Sequence, residues 1–86
     1  MNNQTNGRHT HTLKILPEYY QAQLLGLKNF EIRKSDRPFQ VGDEVWLCEF
    51  DPESHQLTGH DLHRVITYIT DYAQQPGYVV FGTKGI

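Results

Sequence analysis

Residues 26–37 read GLKNFEIRKSDR, and this stretch joins a glycine to alternating apolar residues and a dense group of charges. The chain has 8 Lys and Arg residues in 86 positions, and a large share of them falls within this stretch: Lys28, Arg33, Lys34 and Arg37. A solvated strand and turn explains some charge here but not this density. The stretch is therefore the first candidate for both a structural element and a functional site.

The alternation within this stretch predicts a β-strand. Phe30 and Ile32 share one face of an extended segment, whereas Asn29, Glu31 and Arg33 share the other. We expect the strand to bury Phe30 and Ile32 and to present the polar set to solvent. The residues SDRP then turn the chain.

Upstream, the sequence predicts a first strand and then a short helix. In residues 9–16, HTHTLKIL, the period of two suits a half-buried strand, with His11 on the interior side as a histidine satisfied by a hydrogen bond. Pro17 fits the first turn of a helix, and Gly26 can end it in a left-handed conformation. An apolar stripe at nearly helical spacing is predicted to face the core: Leu16, Tyr20, Leu24 and Leu27.

Downstream, three more strands are predicted, within residues 44–50, 62–70 and 78–82. The segment DPESHQLTGH, residues 51–60, has the Pro, Ser and Gly of a hairpin loop. With each strand taken to neighbour the next, this order predicts an α+β domain built on a small, closed or nearly closed β-barrel, with a short helix after the first strand. A sandwich stays open as an alternative.

Length and composition limit the class of protein. A chain of 86 residues forms one domain, which we place at residues 9–86, after a polar and disordered tail at residues 1–8. No apolar run is long enough for a membrane span, and the N-terminal segment lacks the apolar centre of a secretory signal, so we expect a cytoplasmic protein. The net charge of -2 argues against bulk, non-specific capture of nucleic acid.

One motif resembles a known family. Gly26, Lys28, Glu31 and Arg33 form the pattern G-x-K-x-x-E-x-R after a short helix, and this resembles the signature of the ASCH domain, a branch of the PUA-like superfamily. The runs HTLKILPEYY, FEIRKSDRPFQVGDEV, VITYITDY and GYVV resemble a small bacterial and phage-associated family of unknown function in that branch.

The resemblance implies a PUA-like barrel whose motif lines a cleft between the helix and the barrel mouth, and it implies binding of RNA or modified nucleosides. Some relatives hydrolyse the acetyl amide of acetylated cytidine. Their catalytic lysine is in the position that matches Lys28, and they have a threonine where this chain has Glu31.

The first functional hypothesis is a domain that binds single-stranded RNA, or a nucleoside within it, at Lys28, Glu31 and Arg33. Bases would stack on aromatic rings, and the residues expected to join the motif, as phosphate contacts or stacking surfaces, are Lys34, Arg37, Tyr19 and Tyr72. The second hypothesis is an amidohydrolase of an acylated nucleoside, with Lys28 as nucleophile or base and Glu31 moving protons. The third is a protein-interaction module, which an exposed apolar patch would favour.

Structural roles compete with each of these assignments. Exposed ion pairs contribute only ~0–1 kcal/mol and need no function, and large rings such as Tyr20 and Trp46 are needed to fill a small core. No cofactor or metal is expected, because the histidine pairs at 9 and 11 and at 60 and 63 lack a carboxylate or thiolate at a recognised spacing. Cys48 has no intramolecular partner and is interpreted as a small buried hydrophobe.

Overall fold

A computed structural model of the chain describes residues 9–86, which form a single curled sheet of five strands with one helix. The elements are β1 Thr10–Ile15, α1 Pro17–Leu24, β2 Phe30–Lys34, β3 Glu44–Asp51, β4 Gln56–Thr70 and β5 Tyr78–Gly85. The tail predicted for residues 1–8 lies outside the described residues. Within the described part of the chain, no helix has the length and apolar character needed to cross a membrane.

The order of the strands in the sheet is β1-β3-β4-β5-β2. β1 pairs in parallel with β3, and the other three pairings are antiparallel. β1 and β2 are therefore the two edges of the sheet. The sheet curls into a half-barrel whose concave side faces the core.

The predicted α+β class and the predicted closed PUA-like β-barrel are wrong. Of the described residues, 54% are in strands and 10% in the helix, so the domain is mostly β, and the helix after the first strand is present but minor. The prediction took each strand to neighbour the next. Instead β2 pairs with β5, from Phe30 opposite Gly82 to Lys34 opposite Tyr78. Because β2 lies at the opposite edge from β1, the two edges are not joined by a strand ladder.

The core fills the concave side of the half-barrel. The predicted alternation in β1 is confirmed, since His11, Leu13 and Ile15 are buried and their neighbours in the strand are exposed. The buried apolar residues are Leu13, Ile15, Tyr20, Val45, Leu47, Ile66 and Phe81. Each large side chain of this kind contributes ~1.5–3 kcal/mol when it is fully buried.

Helix α1 begins and ends as predicted, but its apolar stripe is wrong. Pro17 occupies the first turn, and Gly26, at φ 76°, follows the last one. The Leu27 N–H donates to the Ala22 carbonyl over 2.9 Å and the Gly26 N–H to the Gln23 carbonyl over 3.1 Å, which is a Schellman motif.

Of the predicted stripe only Tyr20 is buried, while Leu16, Leu24 and Leu27 are exposed. The helix has 8 residues, and its buried positions are Tyr20 and Gln23. A helix of about two turns that rests on β3 and β4 covers too little surface to bury a longer stripe.

The predicted facing of β2 is also wrong. Glu31 is buried, at 4% exposed, whereas Phe30 and Ile32 are 43% and 55% exposed. Glu31 lies opposite the buried Phe81 of β5, so its side is the core side of the sheet. The sequence rule that apolar residues point inward fails here because hydrogen-bond donors surround the inward position.

The hairpin between β3 and β4 is tighter than predicted. β4 begins at Gln56, so the turn is confined to residues 52–55, where His55 has φ 57°. The register shifts after Cys48, and Gly59, at φ 95°, lies in this irregular part of β4. A bulge of this kind needs glycine because other residues rarely adopt that backbone conformation.

His11 is satisfied inside the protein, as predicted. Its Nε2 lies 2.8 Å from Asp43 Oδ2, and the backbone N–H groups of His9 and Gln40 also donate to this carboxylate. Burial alone raises the pKa of Asp43, but these hydrogen bonds, led by His11, outweigh burial and hold the pKa below its usual value. The pair therefore fastens the start of β1 to the turn before β3.

Candidate functional site

The candidate site is built around the buried carboxylate of Glu31. Oε2 accepts hydrogen bonds from Gln23 Nε2 over 3.0 Å and from Lys28 Nζ over 2.5 Å. Oε1 accepts one from Arg33 Nη2 over 3.3 Å. A buried charge needs such partners, since an unpaired one costs several kcal/mol. The two cations and the amide explain why an acid can lie on the core face of β2.

Local structure brings these four residues together. Gln23 is in the last turn of α1, and the turn at Gly26 reverses the chain so that Lys28 stands beside the start of β2. Glu31 and Arg33 are two apart on β2 and therefore lie on the same face. The G-x-K-x-x-E-x-R motif thus follows the local structure: Gly26 ends the helix, Lys28 lies in the turn, and Glu31 and Arg33 lie on the strand.

Next to the Glu31 carboxylate there is a pocket of about 300 Å³, lined by Tyr19, Lys28, Phe30, Glu31 and Ile32. A second, more open pocket of about 220 Å³ is lined by Lys14, Ile15, Leu16, Tyr19, Glu31, Ile32 and Arg33. The two share Tyr19, Glu31 and Ile32, so we describe them together as the Glu31 groove. The first volume falls at the lower end of the range typical of small-molecule sites.

Lys28 joins the polar and the aromatic parts of the groove. Besides Glu31, its Nζ donates to the Phe30 carbonyl over 2.8 Å. The same nitrogen lies 5.2 Å from the Tyr19 ring centroid and 5.0 Å from that of Phe30, within cation–π range. The ammonium therefore contacts the carboxylate and both rings at once.

Arg33 connects the two edges of the half-barrel. Its Nη2 donates to the Lys14 carbonyl of β1 over 2.7 Å as well as to Glu31. Arg37 Nη1 makes a longer contact, 3.5 Å, with the Thr12 carbonyl. We call the gap between β1 and β2 the seam. The side chains of Arg33 and Arg37, rather than a strand ladder, span the seam. Arg33 therefore links β1 to β2, and the sequence also predicts that it contacts a ligand.

The predicted site residues are distributed unevenly around the groove. Lys28, Glu31, Arg33 and Tyr19 all line it. Lys34 is exposed at the end of β2, and Arg37 lies in the segment that follows. Tyr72 is 82% exposed in the connection between β4 and β5 and does not line the groove. A ligand contact for any of these residues stays a prediction.

Sequence reasoning missed Gln23 and Arg64. Gln23 is 1% exposed and its Nε2 donates to the Phe30 carbonyl over 3.1 Å as well as to Glu31. Arg64 Nη2 donates to the Gln23 carbonyl over 3.0 Å. The available signal was the spacing of Gln23 three residues after Tyr20, which places both on one face of α1.

The described residues contain no group of three or more His, Cys, Asp or Glu side chains that could hold a metal ion. Cys48 is half-buried on β3. Burial, with a smaller effect from the charge of Asp61, raises the pKa of its thiol. A raised pKa keeps the sulfur in the less nucleophilic thiol form at neutral pH.

A family model described as a domain of unknown function, DUF3850, matches residues 10–83. The chain belongs to the DUF3850 family. The match runs from the start of β1 into β5 and includes every residue that lines the Glu31 groove, so the groove is part of the DUF3850 domain. No curated protein matches the chain.

Proposed function

We propose that this DUF3850 domain is related to the ASCH domains and binds a nucleoside within single-stranded RNA in the Glu31 groove. One observation carries the proposal: a buried carboxylate, held by a lysine and an arginine, lies beside a pocket with two aromatic walls. The G-x-K-x-x-E-x-R pattern that resembles the ASCH signature coincides with this pocket. A cytoplasmic location, where RNA is available, belongs to the same proposal.

The base and the phosphates of a nucleotide each have matching groups in the groove or beside it. A base stacks on the exposed Tyr19 ring, which is 45% accessible to solvent, because aromatic stacking serves any base. The edge of the base meets Glu31 and Lys28, which offer an acceptor and a donor. Lys34 and Arg37, near the seam, contact the phosphates outside the pocket. The negative net charge limits long-range attraction, so affinity depends on these local contacts.

The test is an NMR titration of the labelled domain with cytidine and with a short single-stranded RNA, at low and at higher salt. We expect shifts that cluster on the groove residues. Tyr19→Leu is expected to weaken RNA binding about tenfold, since stacking contributes ~1–3 kcal/mol per base. Tyr68→Leu is the matched control, because Tyr68 is exposed on β4 and lies outside the groove. Equal affinity for wild type and Tyr19→Leu would refute the stacking site.

An amidohydrolase acting on an acylated cytidine is the second candidate. The observation in its favour is the 2.5 Å contact between Lys28 Nζ and Glu31 Oε2 inside the pocket. Water would add to the acetyl carbon as Lys28 takes its proton, and the amide nitrogen would leave with a proton passed on through Glu31, giving acetate and cytidine. A lysine that acts as base or nucleophile must direct its lone pair at the substrate or water, whereas Lys28 Nζ is turned to two protein acceptors, the Phe30 carbonyl and the Glu31 carboxylate. Binding is therefore preferred over catalysis.

The same titration tests the enzyme candidate when acetylcytidine is included and free acetate is followed by proton NMR. Release of acetate by wild type and its loss in Lys28→Ala would replace the binding hypothesis by the enzymatic one. No acetate from either protein would remove the enzyme from consideration.

A protein-interaction module is favoured by the exposure of Phe30 and Ile32 on β2. The cores of protein interfaces are depleted of charged residues, however. Here Lys28, Glu31 and Arg33 lie between the exposed apolar side chains. This mixed surface suits a nucleobase better than the apolar surface of a protein partner. Absence of any shift with cytidine, acetylcytidine or RNA would turn the search to protein partners.

A further inference from the structure

We propose that Gln23, held in place by Arg64, is the positioning residue that orients the Glu31 carboxylate toward the ligand. This inference rests on the proposed function of the groove. Gln23 itself does not line the pocket, so it acts through Glu31 rather than on the ligand. Neither residue belongs to the G-x-K-x-x-E-x-R pattern.

The orientation of the Gln23 amide is determined from both of its ends. Nε2 faces the Glu31 carboxylate at 3.0 Å and the Phe30 carbonyl at 3.1 Å, and both of these groups accept hydrogen bonds. Oε1 faces Arg64 Nε and Thr83 Oγ1, each at 3.5 Å. Arginine can only donate hydrogen bonds. If the amide were flipped, Nε2 would face the Arg64 donor, and Oε1 would face two other acceptors, the Glu31 carboxylate and the Phe30 carbonyl. Only one orientation satisfies the network.

Arg64 connects this amide to β4, the middle strand of the sheet. Its Nη2 donates to the Gln23 main-chain carbonyl over 3.0 Å, in the last turn of α1, where a cation complements the negative end of the helix. Arg64 lies on β4, 41 positions away in sequence. One arginine therefore fixes both the main chain and the side chain of Gln23.

The consequence for the site is an unequal pair of carboxylate oxygens. Oε2 of Glu31 already accepts from Gln23 and Lys28, which uses its two lone-pair directions. Oε1 accepts only the longer 3.3 Å contact from Arg33 among the described residues. The ligand should therefore donate to Oε1, and Gln23 sets which oxygen is presented.

The test is a double-mutant cycle on ligand affinity. Gln23→Met keeps the length of the side chain and removes its hydrogen bonds. We expect about tenfold weaker binding of a cytidine-containing RNA, which corresponds to the loss of one hydrogen bond to a charged group. Gln21→Met, an exposed position on the same helix, is the matched control and should bind as wild type does.

The cycle separates positioning from simple damage to the fold. In a Glu31→Ala background, which lacks the carboxylate that accepts from Gln23, the effect of Gln23→Met should shrink to less than about threefold, because the two residues act through one contact. An equal loss of affinity in both backgrounds would overturn the proposal. Arg64→Met is the second variant, which leaves Gln23 in place and is expected to weaken binding in the same direction.

A second measurement needs no ligand and therefore separates failure of this inference from failure of the proposed function. The carbon-13 signal of the Glu31 carboxyl group should move in Gln23→Met and in Arg64→Met, and it should stay in place in Gln21→Met. If RNA does not bind but the signal moves as expected, the proposed function fails and the positioning contact stands. If the Glu31 carboxyl signal stays in place in both Gln23→Met and Arg64→Met, the positioning role is refuted, whether or not RNA binds.

Discussion

Replacing Glu31 by alanine is expected to lower the free energy of unfolding by about 3 kcal/mol. The change removes the acceptor of hydrogen bonds from Gln23, Lys28 and Arg33. A buried amide left with an unsatisfied N–H costs ~1–3 kcal/mol. The side chains of Lys28 and Arg33 are 16% and 24% exposed, so water partly replaces their lost partner and each pair contributes less, about 0.5–1 kcal/mol. The amide therefore dominates the loss.

Two variants calibrate this value. Glu31→Gln keeps the volume and one acceptor oxygen, so we expect a smaller loss of about 1 kcal/mol, mainly from the weaker bonds to the two cations. Glu53→Ala removes an acid from the exposed turn between β3 and β4 and is expected to change stability by less than about 0.5 kcal/mol.

The assay is urea unfolding followed by the fluorescence of Trp46, the only tryptophan in the chain. Equal slopes with denaturant for all variants would show that only stability changed. A domain of this size typically has ~5–15 kcal/mol of stability, so a loss of about 3 kcal/mol shifts the midpoint clearly. If Glu31→Ala unfolds within about 0.5 kcal/mol of wild type, the network around the carboxylate does not stabilise the fold and our account of β2 is wrong.

Three further outcomes are expected. The pKa of Asp43 is lowered in the folded state. The ionised carboxylate therefore makes its full contribution to the free energy of unfolding above its usual pKa of about 3.9, and this contribution is lost as the pH falls through the lower pKa of the folded state. The urea midpoint should decrease between pH 7 and pH 2, and the decrease should be smaller in Asp43→Asn. Gly26→Ala places a side chain at φ 76° without a steric contact, so thermal unfolding should show a loss of about 1 kcal/mol from backbone strain alone. Cys48 should react slowly with a chromogenic disulfide at pH 7, and Asp61→Asn should speed the reaction, because Asp61 raises the thiol pKa; an unchanged rate would contradict that cause.

Local signals were sufficient for the elements whose neighbours follow from the chain itself. The period of two in β1 predicted that Leu13 and Ile15 are buried, and Pro17 and Gly26 predicted where the helix begins and ends. The motif likewise predicted that Lys28, Glu31 and Arg33 come together, because a helix end, one turn and one strand place them within two to five residues of each other.

The same local signals could not predict which distant segments pair with each other. Nothing in residues 30–34 says that β2 pairs with β5 rather than with β1 or β3, and that pairing decides that the sheet stays open. The facing of β2 failed for a related reason: Glu31 points inward because Gln23, from another element, donates to it. Arg64, 41 residues from Gln23, lies beyond any local pattern.

The openness of the fold and the position of the groove have one cause. If β1 and β2 paired, the main-chain groups along the seam would be used by a strand ladder, and the space beside β2 would close. Because they do not pair, the Lys14 carbonyl accepts from Arg33, and the same guanidinium also donates to Glu31. Arg33 thus links β1 to β2 where no strand ladder does, and it also donates a hydrogen bond to the buried Glu31 carboxylate. A substitution at Arg33 therefore changes the seam and the site together, whereas Tyr19 and Gln23 allow the stacking wall and the carboxylate to be tested while the seam stays intact.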